Sequence, residues 1–382
     1  MVLGSKELIR DMNSKLILET VIHYGPISRA NISKKLGLTK ATVSAIVQDL
    51  LNAKLVLEIG SDDTSLGRKP ILLSFNQKAG YAVCVDIGVS VLSCMISDLQ
   101  GENRNLKQIK TPRESELARC LIELIESMET GYDHHPYGMV GITLGVHGVT
   151  HENQILFTPY YNLVGLGIAN KLSEYFSVPI YLENEANLSA LGERAYLSRK
   201  YTSLANISIH TGVGLGVILN NELFIGNTGH AGELGHTIVQ MNGRACPCGN
   251  YGCLEQYTSE RALLMEYRKL SNQSHATWEE FLNACQIHDR SAEDVLDQFV
   301  SYMIICVNNL LNSVSPEIVI INSSLTDRYP ELINRIVKGL KSKVIKQVPI
   351  IASKRRDSSI LLGGINVVAR HFLGVKSIHF NE

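Results

Sequence analysis

The sequence predicts a mainly α-helical, winged helix-turn-helix domain at the N-terminus, followed by a larger α/β module. Three observations lead to this fold class. Apolar residues recur at helical spacing through the first fifty positions, two alternating runs of strand length follow, and from Gly80 onward apolar runs alternate with helical stretches. The chain has 382 residues, of which 45% are hydrophobic, so it is long enough for two or three domains with sizeable cores.

The first two helices have clear start and stop signals. Residues 6–24 are predicted as a helix that ends at Gly25-Pro26. A second, shorter helix follows Ser28, a suitable N-cap, and stops at Gly37. The predicted buried face of the first helix consists of Ile9, Met12, Leu16, Thr20 and Val21.

The third helix begins at Thr39 and is the candidate DNA-recognition helix. Its apolar residues recur at i, i+3, i+4, i+7 and i+8, and they are Val43, Ile46, Val47, Leu50 and Leu51. Residues 55–59 and 71–75 are predicted to form a β-hairpin, the wing. In a winged helix-turn-helix domain the third helix enters the major groove.

The exposed face of this helix provides the predicted DNA contacts. Thr39 and Lys40 at the helix start suit a phosphate, and Gln48 can pair with adenine. Arg68 and Lys69 form a basic wing tip that suits a minor groove. The predicted DNA-binding residues are Thr39, Lys40, Ala41, Thr42, Ser44, Ala45, Gln48, Arg68 and Lys69. The alternative is a three-helix protein-interaction module with a merely solvated polar face.

Charge and hydropathy restrict the class of protein further. Residues 1–80 contain eleven Lys and Arg against seven Asp and Glu, which permits DNA binding, whereas the whole chain has a net charge of −1. The sequence contains no apolar run of about eighteen residues, so no membrane span is expected. The mixed, charged N-terminus does not resemble a signal peptide, and we therefore expect a cytoplasmic protein.

Strands and helices alternate in the α/β module. The predicted strands are residues 81–85, 91–96, 140–144, 204–209, 213–219 and 317–321, and the predicted helices include 116–129 and 165–176. Glycine-marked positions near Asp86 and Thr211 suggest two similar lobes.

Three clustered cysteines and a histidine form a candidate metal site. Cys246, Cys248 and Cys253 lie within eight residues, and His236 lies ten residues before the first of them. Three thiolates and one imidazole complete a tetrahedral zinc shell with no open position, which is typical of a structural site. The alternative is a disulfide or redox pair. The other cysteines are expected to be buried free thiols, and they are Cys84, Cys94, Cys120, Cys285 and Cys306.

Two groups of motifs resemble a known family. The run from Gly229 to His236, followed by Cys246-x-Cys248-Gly-x-x-Gly-Cys253-Leu-Glu255, resembles the signature of the ROK family of repressors, open reading frames and sugar kinases. In the head, Gly25-Pro-Ile-Ser-Arg-Ala30, Gly37-Leu-Thr-Lys-Ala-Thr-Val-Ser44 and Gly67-Arg-Lys-Pro70 resemble the xylose-repressor type of its transcriptional regulators.

The resemblance implies a fold and a domain division. The family module has two α/β lobes of the actin-like, ribonuclease-H-like type around a cleft. Carried onto this chain, it implies a winged helix-turn-helix domain at 1–79 and a first lobe at 80–195 with about 360–382. A second lobe, with the structural zinc site, would occupy 196–359.

The resemblance also implies a sugar site. Matched position by position, the sugar-binding residues of the family fall on Gly148, Asn184, Glu185, Glu233, His236 and Glu255. His236 could then bind zinc through one ring nitrogen and a sugar hydroxyl through the other. For Glu233 and Glu255 the alternative is ordinary surface charge. Residues 159–163 are the candidate region for the side chains that select the sugar.

The chain departs from the family kinases at four places. Glu185 replaces the catalytic aspartate, and the first phosphate loop is Asp86-Ile-Gly-Val-Ser90. His210 replaces a glycine of the second loop, and a late Gly-Gly becomes Asn322-Ser-Ser324. Since phosphoryl transfer needs a positioned base and a phosphate cradle, we expect no catalytic residues and no enzyme activity.

The predicted function is a sugar-responsive transcriptional regulator, a repressor of carbohydrate-utilisation genes. It would bind an inverted-repeat operator as a dimer, and a sugar or sugar derivative would enter the interlobe cleft. Two alternatives remain open: an ATP-dependent sugar kinase with a fused DNA-binding head, and a regulator controlled by a protein partner. Activation instead of repression, and a tetramer instead of a dimer, are open as well.

Overall fold

The chain divides into two compact units. The computed structural model describes residues 6–61, 70–132, 134–344, 348–356 and 358–380. Unit 1 comprises Met1–Gly145, Leu163–Glu183 and Gly364–Glu382, and unit 2 comprises Val146–Asn162 and Asn184–Gly363.

The elements are numbered in chain order. The described helices are α1 (Lys6–Tyr24), α2 (Arg29–Leu36), α3 (Lys40–Asn52), α4 (Leu117–Glu126), α5 (Ile168–Phe176), α6 (Glu185–Tyr196), α7 (Glu255–Thr258), α8 (Glu260–Leu270), α9 (Trp278–Gln286), α10 (Arg290–Ser313), α11 (Ser324–Arg328), α12 (Glu331–Gly339) and α13 (Ser358–Leu373). The described strands are β1 (Ile27–Ser28), β2 (Val56–Ser61), β3 (Ile71–Phe75), β4 (Tyr81–Ile87), β5 (Val91–Asp98), β6 (Asn105–Lys110), β7 (Met139–Val146), β8 (Val149–His151), β9 (Gln154–Phe157), β10 (Ile180–Asn184), β11 (Leu204–Ile209), β12 (Val213–Leu219), β13 (Glu222–Leu223), β14 (Val319–Ser323) and β15 (Ile350–Ala352).

The head has the predicted three helices, and local signals set their ends. The Ser28 side chain caps α2 by accepting from the Asn31 amide, and Gly37 ends the helix in the left-handed conformation at φ 66°. The Thr39 side chain caps α3 by accepting from the Thr42 amide. Strands β2 and β3 form the predicted antiparallel hairpin, and β1 adds an unpredicted third strand along β3.

The buried face of α1 differs from the predicted one. Ile9, Met12 and Leu16 are 52%, 56% and 45% exposed, whereas Thr20 and Val21 are buried as expected. The rest of the buried face consists of Ile17, Leu18 and Ile22. Apolar residues occupy more than one side of this helix, so their spacing alone does not select the side that packs against α3 and β3.

Each unit contains one five-stranded sheet with the same strand order. In unit 1 the order is β10-β7-β4-β5-β6, and in unit 2 it is β13-β12-β11-β14-β15. When only the five strands of each sheet are numbered along the chain, both orders are 3-2-1-4-5 from one edge. In unit 2, β11 pairs antiparallel with β12 and parallel with β14. The repeated topology agrees with the expectation of two similar lobes.

The core of unit 2 lies between its sheet and the helices α8 to α12, and Phe281 and Phe299 are among its fully buried side chains. Helix α6 also belongs to this unit, because it packs against β11 and β12. Helix α6 therefore groups with the sheet of unit 2, and the head groups with the sheet of unit 1. The predicted boundaries at 79, 195 and about 360 stay a prediction. None of the described helices is long and apolar enough to cross a membrane.

Candidate ligand and metal site

The candidate ligand residues converge on a glycine segment, residues 212–216, within unit 2. A Cβ atom at Gly212 would lie 2.8 Å from Glu255 Oε2, and one at Gly214 would lie 3.3 Å from Glu185 Oε1. The Glu185 and Glu255 carboxylates therefore both lie beside this segment.

Asn184 organises one end of this site. Its Oδ1 caps α6 by accepting from the amides of Ala186 at 2.8 Å and Asn187 at 3.1 Å. Its Nδ2 lies 2.8 Å from the carbonyl of Gly148 and 2.9 Å from Glu185 Oε2. Asn184 thus joins the helix start, the Gly148 loop and the Glu185 carboxylate.

Gly148 is required by a close approach of two backbone segments. A Cβ atom there would lie 2.1 Å from the carbonyl oxygen of Phe157, which is far inside van der Waals contact. The glycine allows the turn into β8 to lie against the end of β9. This brings the Gly148 carbonyl to Asn184.

Glu255 is buried at the other end of the site and accepts two hydrogen bonds. The Tyr160 hydroxyl donates to Oε1 at 2.8 Å, and the Val213 amide donates to Oε2 at 3.2 Å. Glu255 is 6% exposed, so it is not a surface charge. Burial, and secondarily the Glu255 carboxylate, raise the pKa of the Tyr160 phenol.

Glu233 and His236 connect the ligand residues to the cysteines. His236 Nε2 lies 3.7 Å from Glu233 Oε2, and His236 Nδ1 lies 3.5 Å from Cys246 Sγ. Burial raises the pKa of the Glu233 carboxyl; His236 opposes the shift and the nearby Glu255 adds to it. The two nitrogens of one imidazole therefore face two different groups.

The four side chains His236, Cys246, Cys248 and Cys253 form a cluster that can hold a metal ion. Their ligand atoms all lie within 4.8 Å of one another. Cys248 and Cys253 sulfurs are 3.7 Å apart, too far for a disulfide bond of about 2.05 Å. In a tetrahedral site with bonds of about 2.3 Å to sulfur and 2.0 Å to nitrogen, sulfur pairs are separated by about 3.8 Å and sulfur–nitrogen pairs by about 3.5 Å. The Cys248–Cys253 separation of 3.7 Å and the His236–Cys246 separation of 3.5 Å fit this geometry.

Glycines and backbone hydrogen bonds fold the cysteine loop, residues 244–255. Gly249 and Gly252 have φ of 96° and 79°, in the left-handed region. A Cβ atom at Gly252 would lie 1.7 Å from the Gln240 carbonyl oxygen. The Cys246 amide donates to the Asn250 carbonyl, which closes the turn that carries Cys248.

Two of the positions that are expected to differ from the kinases lie in or beside the second sheet, Asn322 in β14 and His210 directly after β11. Asn322 on β14 is 1% exposed, and its Nδ2 lies within 3.2 Å of Ser189 Oγ, Ser359 Oγ and the Arg356 carbonyl. The Asn322 carboxamide thus lies within a buried polar network. The backbone carbonyl of His210 accepts from the Glu260 amide.

The predicted DNA contacts in α3 share one exposed face of the head. Thr39, Lys40, Ala41, Ser44, Ala45 and Gln48 are exposed and Thr42 is partly exposed. The opposite face holds the buried Val43, Ile46, Val47 and Leu50, as predicted. Arg68 and Lys69 lie outside the described residues.

Tyr160 is the main residue that sequence reasoning did not single out. It lies in the candidate region 159–163, but a tyrosine in a loop has no pattern that predicts its partner. Arg244 and Gln256 are similar: Gln256 Nε2 lies 3.5 Å from Cys246 Sγ, and Arg244 donates to the Gln256 carbonyl. All three are placed by contacts across the tertiary structure.

Comparison with known proteins adds the family. The ROK family model matches residues 82–371. The xylose repressor of Bacillus spizizenii is 33% identical over 98% of this chain and 99% of its own length. The E. coli DNA-binding transcriptional dual regulator NagC is 23% identical over all of this chain and 98% of its own length.

Solved structures agree on the fold. A ROK family transcriptional regulator, a homologue of the E. coli MLC protein, has a TM-score of 0.82 at 24% identity and covers 96% of both chains. A ROK family glucokinase from Streptomyces griseus, in complex with glucose and AMPPNP, has a TM-score of 0.68 at 22% identity and covers 75% of this chain and 98% of its own. The expected fold, a helical head with a β-hairpin followed by a larger α/β module, is therefore confirmed, and the chain belongs to the ROK family.

Proposed function

We propose that this protein is a sugar-responsive, DNA-binding transcriptional repressor of carbohydrate-utilisation genes. The observation that carries the proposal is the combination, in one chain, of an exposed recognition face on α3 and a ligand site in unit 2. That site offers three carboxylates and an imidazole, from Glu185, Glu233, Glu255 and His236. The full-length similarity to xylose repressors supports it.

The head supports DNA binding through the surface of α3. Small exposed side chains at Ala41, Ser44 and Ala45 allow the helix backbone to approach base edges, and Gln48 can read adenine. Thr39 and Lys40 lie at the helix N-terminus, which suits a phosphate. An inverted-repeat operator and a homodimer, or a tetramer, belong to the proposal, as does a cytoplasmic location.

The ligand site supports a polyhydroxylated effector. Carboxylates accept from vicinal hydroxyls, and a site with buried polar groups discriminates strongly against ligands that lack the matching hydroxyl. Gly148, Asn184, Glu185, Glu233, His236 and Glu255 are the proposed sugar-binding residues. Asn184 acts mainly by holding Glu185 and the Gly148 loop, because its amide already has partners on both sides.

Zinc is the proposed metal of the His236–Cys246–Cys248–Cys253 cluster. Three thiolates and one imidazole are a ligand set that zinc prefers, and a four-ligand shell is structural. Bound at Nδ1, the metal would leave His236 Nε2 protonated and directed to Glu233, and it would hold the ring in place for a ligand hydroxyl.

A non-enzymatic module is part of the proposal. Asn322 fills the place of a glycine with a buried, hydrogen-bonded carboxamide. Glu185 is one methylene longer than the aspartate it replaces, and a misplacement of about 1 Å costs roughly a hundredfold in rate. ATP consumption over a sugar panel tests this: turnover that Glu185→Gln abolishes would establish the kinase instead.

The main experiment measures operator binding with and without sugars. A binding sequence is selected from random DNA with the full chain, and its affinity is then measured with D-xylose, D-glucose, N-acetyl-D-glucosamine and their phosphates. We expect one sugar to weaken operator binding at least tenfold. Glu255→Gln should abolish the sugar response and keep operator binding, whereas Gln48→Ala should weaken operator binding and keep sugar affinity.

If no sugar or sugar phosphate changes the affinity for the operator, the effector proposal is wrong. Capture of a protein partner that releases the DNA would then support control by that partner. Operator binding that increases with sugar would indicate activation through the same site.

A further inference from the structure

Tyr160 lies in the loop between β9 and α5, and its phenol reaches Glu255 within unit 2. The hydroxyl donates to Glu255 Oε1 at 2.8 Å, across 95 residues of sequence. The Arg261 guanidinium carbon lies 5.4 Å from the centre of the Tyr160 ring, and Arg261 also donates to Gln256 at 3.2 Å. The ring is therefore held from one side by a cation and at its tip by a carboxylate.

These contacts leave Glu255 with one fixed donor on each carboxylate oxygen. Oε1 accepts from Tyr160, and Oε2 accepts from the Val213 amide at 3.2 Å. Two donors on two oxygens fix the plane of the carboxylate. A carboxylate has about four lone-pair sites, so two remain for a ligand, and their directions are set by the two donors.

We propose that Tyr160 is a positioning residue for ligand recognition: its hydroxyl holds Glu255 so that the free lone pairs face the hydroxyls of a bound sugar. This deepens the proposed function and rests on it. A carboxylate held in one plane accepts from a hydroxyl at one defined place, so Tyr160 contributes to discrimination between a sugar and its deoxy analogue. It acts through Glu255.

The local charge explains why a phenol serves here. The Glu255 carboxylate adds to the raised pKa of Glu233, so the two side chains are close enough to interact. A neutral donor that remains protonated stabilises the Glu255 carboxylate without adding charge, and the raised pKa of Tyr160 keeps its proton in place. Hydrogen bonds to charged groups are among the stronger ones.

The test is Tyr160→Phe, which removes the hydroxyl and keeps the ring. Binding is measured by calorimetry with D-xylose, D-glucose and N-acetyl-D-glucosamine, and then with each mono-deoxy analogue of whichever sugar binds. We expect the variant to bind the parent sugar tenfold to a hundredfold more weakly. We expect one deoxy analogue, the one that lacks the hydroxyl facing Glu255, to bind wild type and variant equally.

Tyr175→Phe is the matched control. Tyr175 in unit 1 donates to Glu126 at 2.5 Å on the surface, so this change also breaks a tyrosine–glutamate hydrogen bond. It should leave sugar affinity unchanged. Unfolding followed by the fluorescence of Trp278, the single tryptophan, checks that unit 2 of the Tyr160→Phe variant is folded.

The outcomes separate this inference from the proposed function. Wild-type protein that binds a sugar, with a Tyr160→Phe variant of equal or higher affinity, would overturn the positioning role alone. An equal loss for the parent sugar and for every deoxy analogue would also overturn it, because a general structural role acts on all ligands alike. Wild-type protein that binds no sugar in the panel would overturn both.

Discussion

Asn184→Asp is the most demanding test of the ligand site, because it changes one amide to a carboxylate of the same shape. The Asp oxygen can still cap α6, so the helix start is preserved. The two donors from Nδ2 are lost, and the new oxygen would lie near the Gly148 carbonyl and Glu185, at the present 2.8 and 2.9 Å. Three acceptors would then face one another without a proton between them.

The cost can be bounded from these contacts. The lost hydrogen bonds contribute about 1 kcal/mol for the neutral acceptor and about 2 kcal/mol for the charged one. Two carboxylates about 4 Å apart repel by about 4 kcal/mol at an effective dielectric of 20. Alternatively, one of the two carboxylates can take up a proton. For a group with an ordinary pKa near 4 this costs about 4 kcal/mol at pH 7, so the repulsion cannot cost more than about that. The new negative charge interacts favourably with the N-terminus of α6, and the structure can relax. We therefore expect Asn184→Asp to lower the free energy of unfolding by about 3 to 5 kcal/mol at pH 7.

The loss should depend on pH in a defined direction. In the variant, the paired carboxylates have a folded-state pKa raised above the unfolded value. The charge penalty is therefore absent below the unfolded pKa near 4 and grows as pH rises, by about 1.4 kcal/mol per unit, until the folded pKa is passed. Asn184→Ser is the control: serine keeps the cap without adding charge, and we expect it to cost about 1 to 2 kcal/mol independently of pH from 5 to 7.

Urea unfolding followed by Trp278 fluorescence measures both variants. Trp278 starts α9 in unit 2, where its ring centre lies 5.2 Å from that of Phe281, so its emission reports on the unit that contains Asn184. If Asn184→Asp were as stable as Asn184→Ser at pH 7, or if their difference did not change with pH, Asn184 would not join Glu185 to the Gly148 loop.

Three further changes test other parts of the structure. Cys248→Ser, at an exposed position of the proposed metal cluster, should lower both bound zinc and sugar affinity at least tenfold, measured by elemental analysis and calorimetry; an intact sugar response would make the metal a bystander. The pKa of the Glu19 carboxyl in α1 is lowered, because interactions with His23 and Ser377 outweigh the effect of burial. The ionised Glu19 therefore stabilises the fold at pH values above the ordinary carboxyl pKa, and this contribution is lost as pH falls through the lowered pKa. Glu19→Gln should therefore cost stability at pH 7 and little at pH 3.5 in circular-dichroism melts, and a pH-independent difference would refute this. Asn322→Ala should cost about 1 to 3 kcal/mol in the Trp278 assay, since it removes a buried carboxamide that donates to Ser189 and Ser359; a loss below 0.5 kcal/mol, on the order of a surface substitution, would show that the network contributes little.

Local signals in the sequence were enough to locate the three helices of the head. Ser28 and Gly37 cap α2 as predicted, and Thr39 stands at the predicted start of α3, because a cap depends on atoms within three or four residues. The strand over Leu204–Ile209 was predicted with its observed bounds, since an apolar run buried on both faces has a strong pattern. The buried side of α1 and the strand β1 were not predicted, because both depend on what packs beside them.

The candidate site divides in the same way. The cysteine spacing predicted that the three thiols lie together, because a short loop with two glycines can bring its thiols together by itself. The motif match placed Glu185, Glu233 and Glu255 in one set but could not say how each carboxylate is held. Only the tertiary structure decided that Asn184 holds Glu185, that Tyr160 holds Glu255, and that His236 faces the thiols with one nitrogen and Glu233 with the other. The physical reason is that the direction of a hydrogen bond depends on the position of both partners, and a chain folded over 95 residues sets that position through its packing.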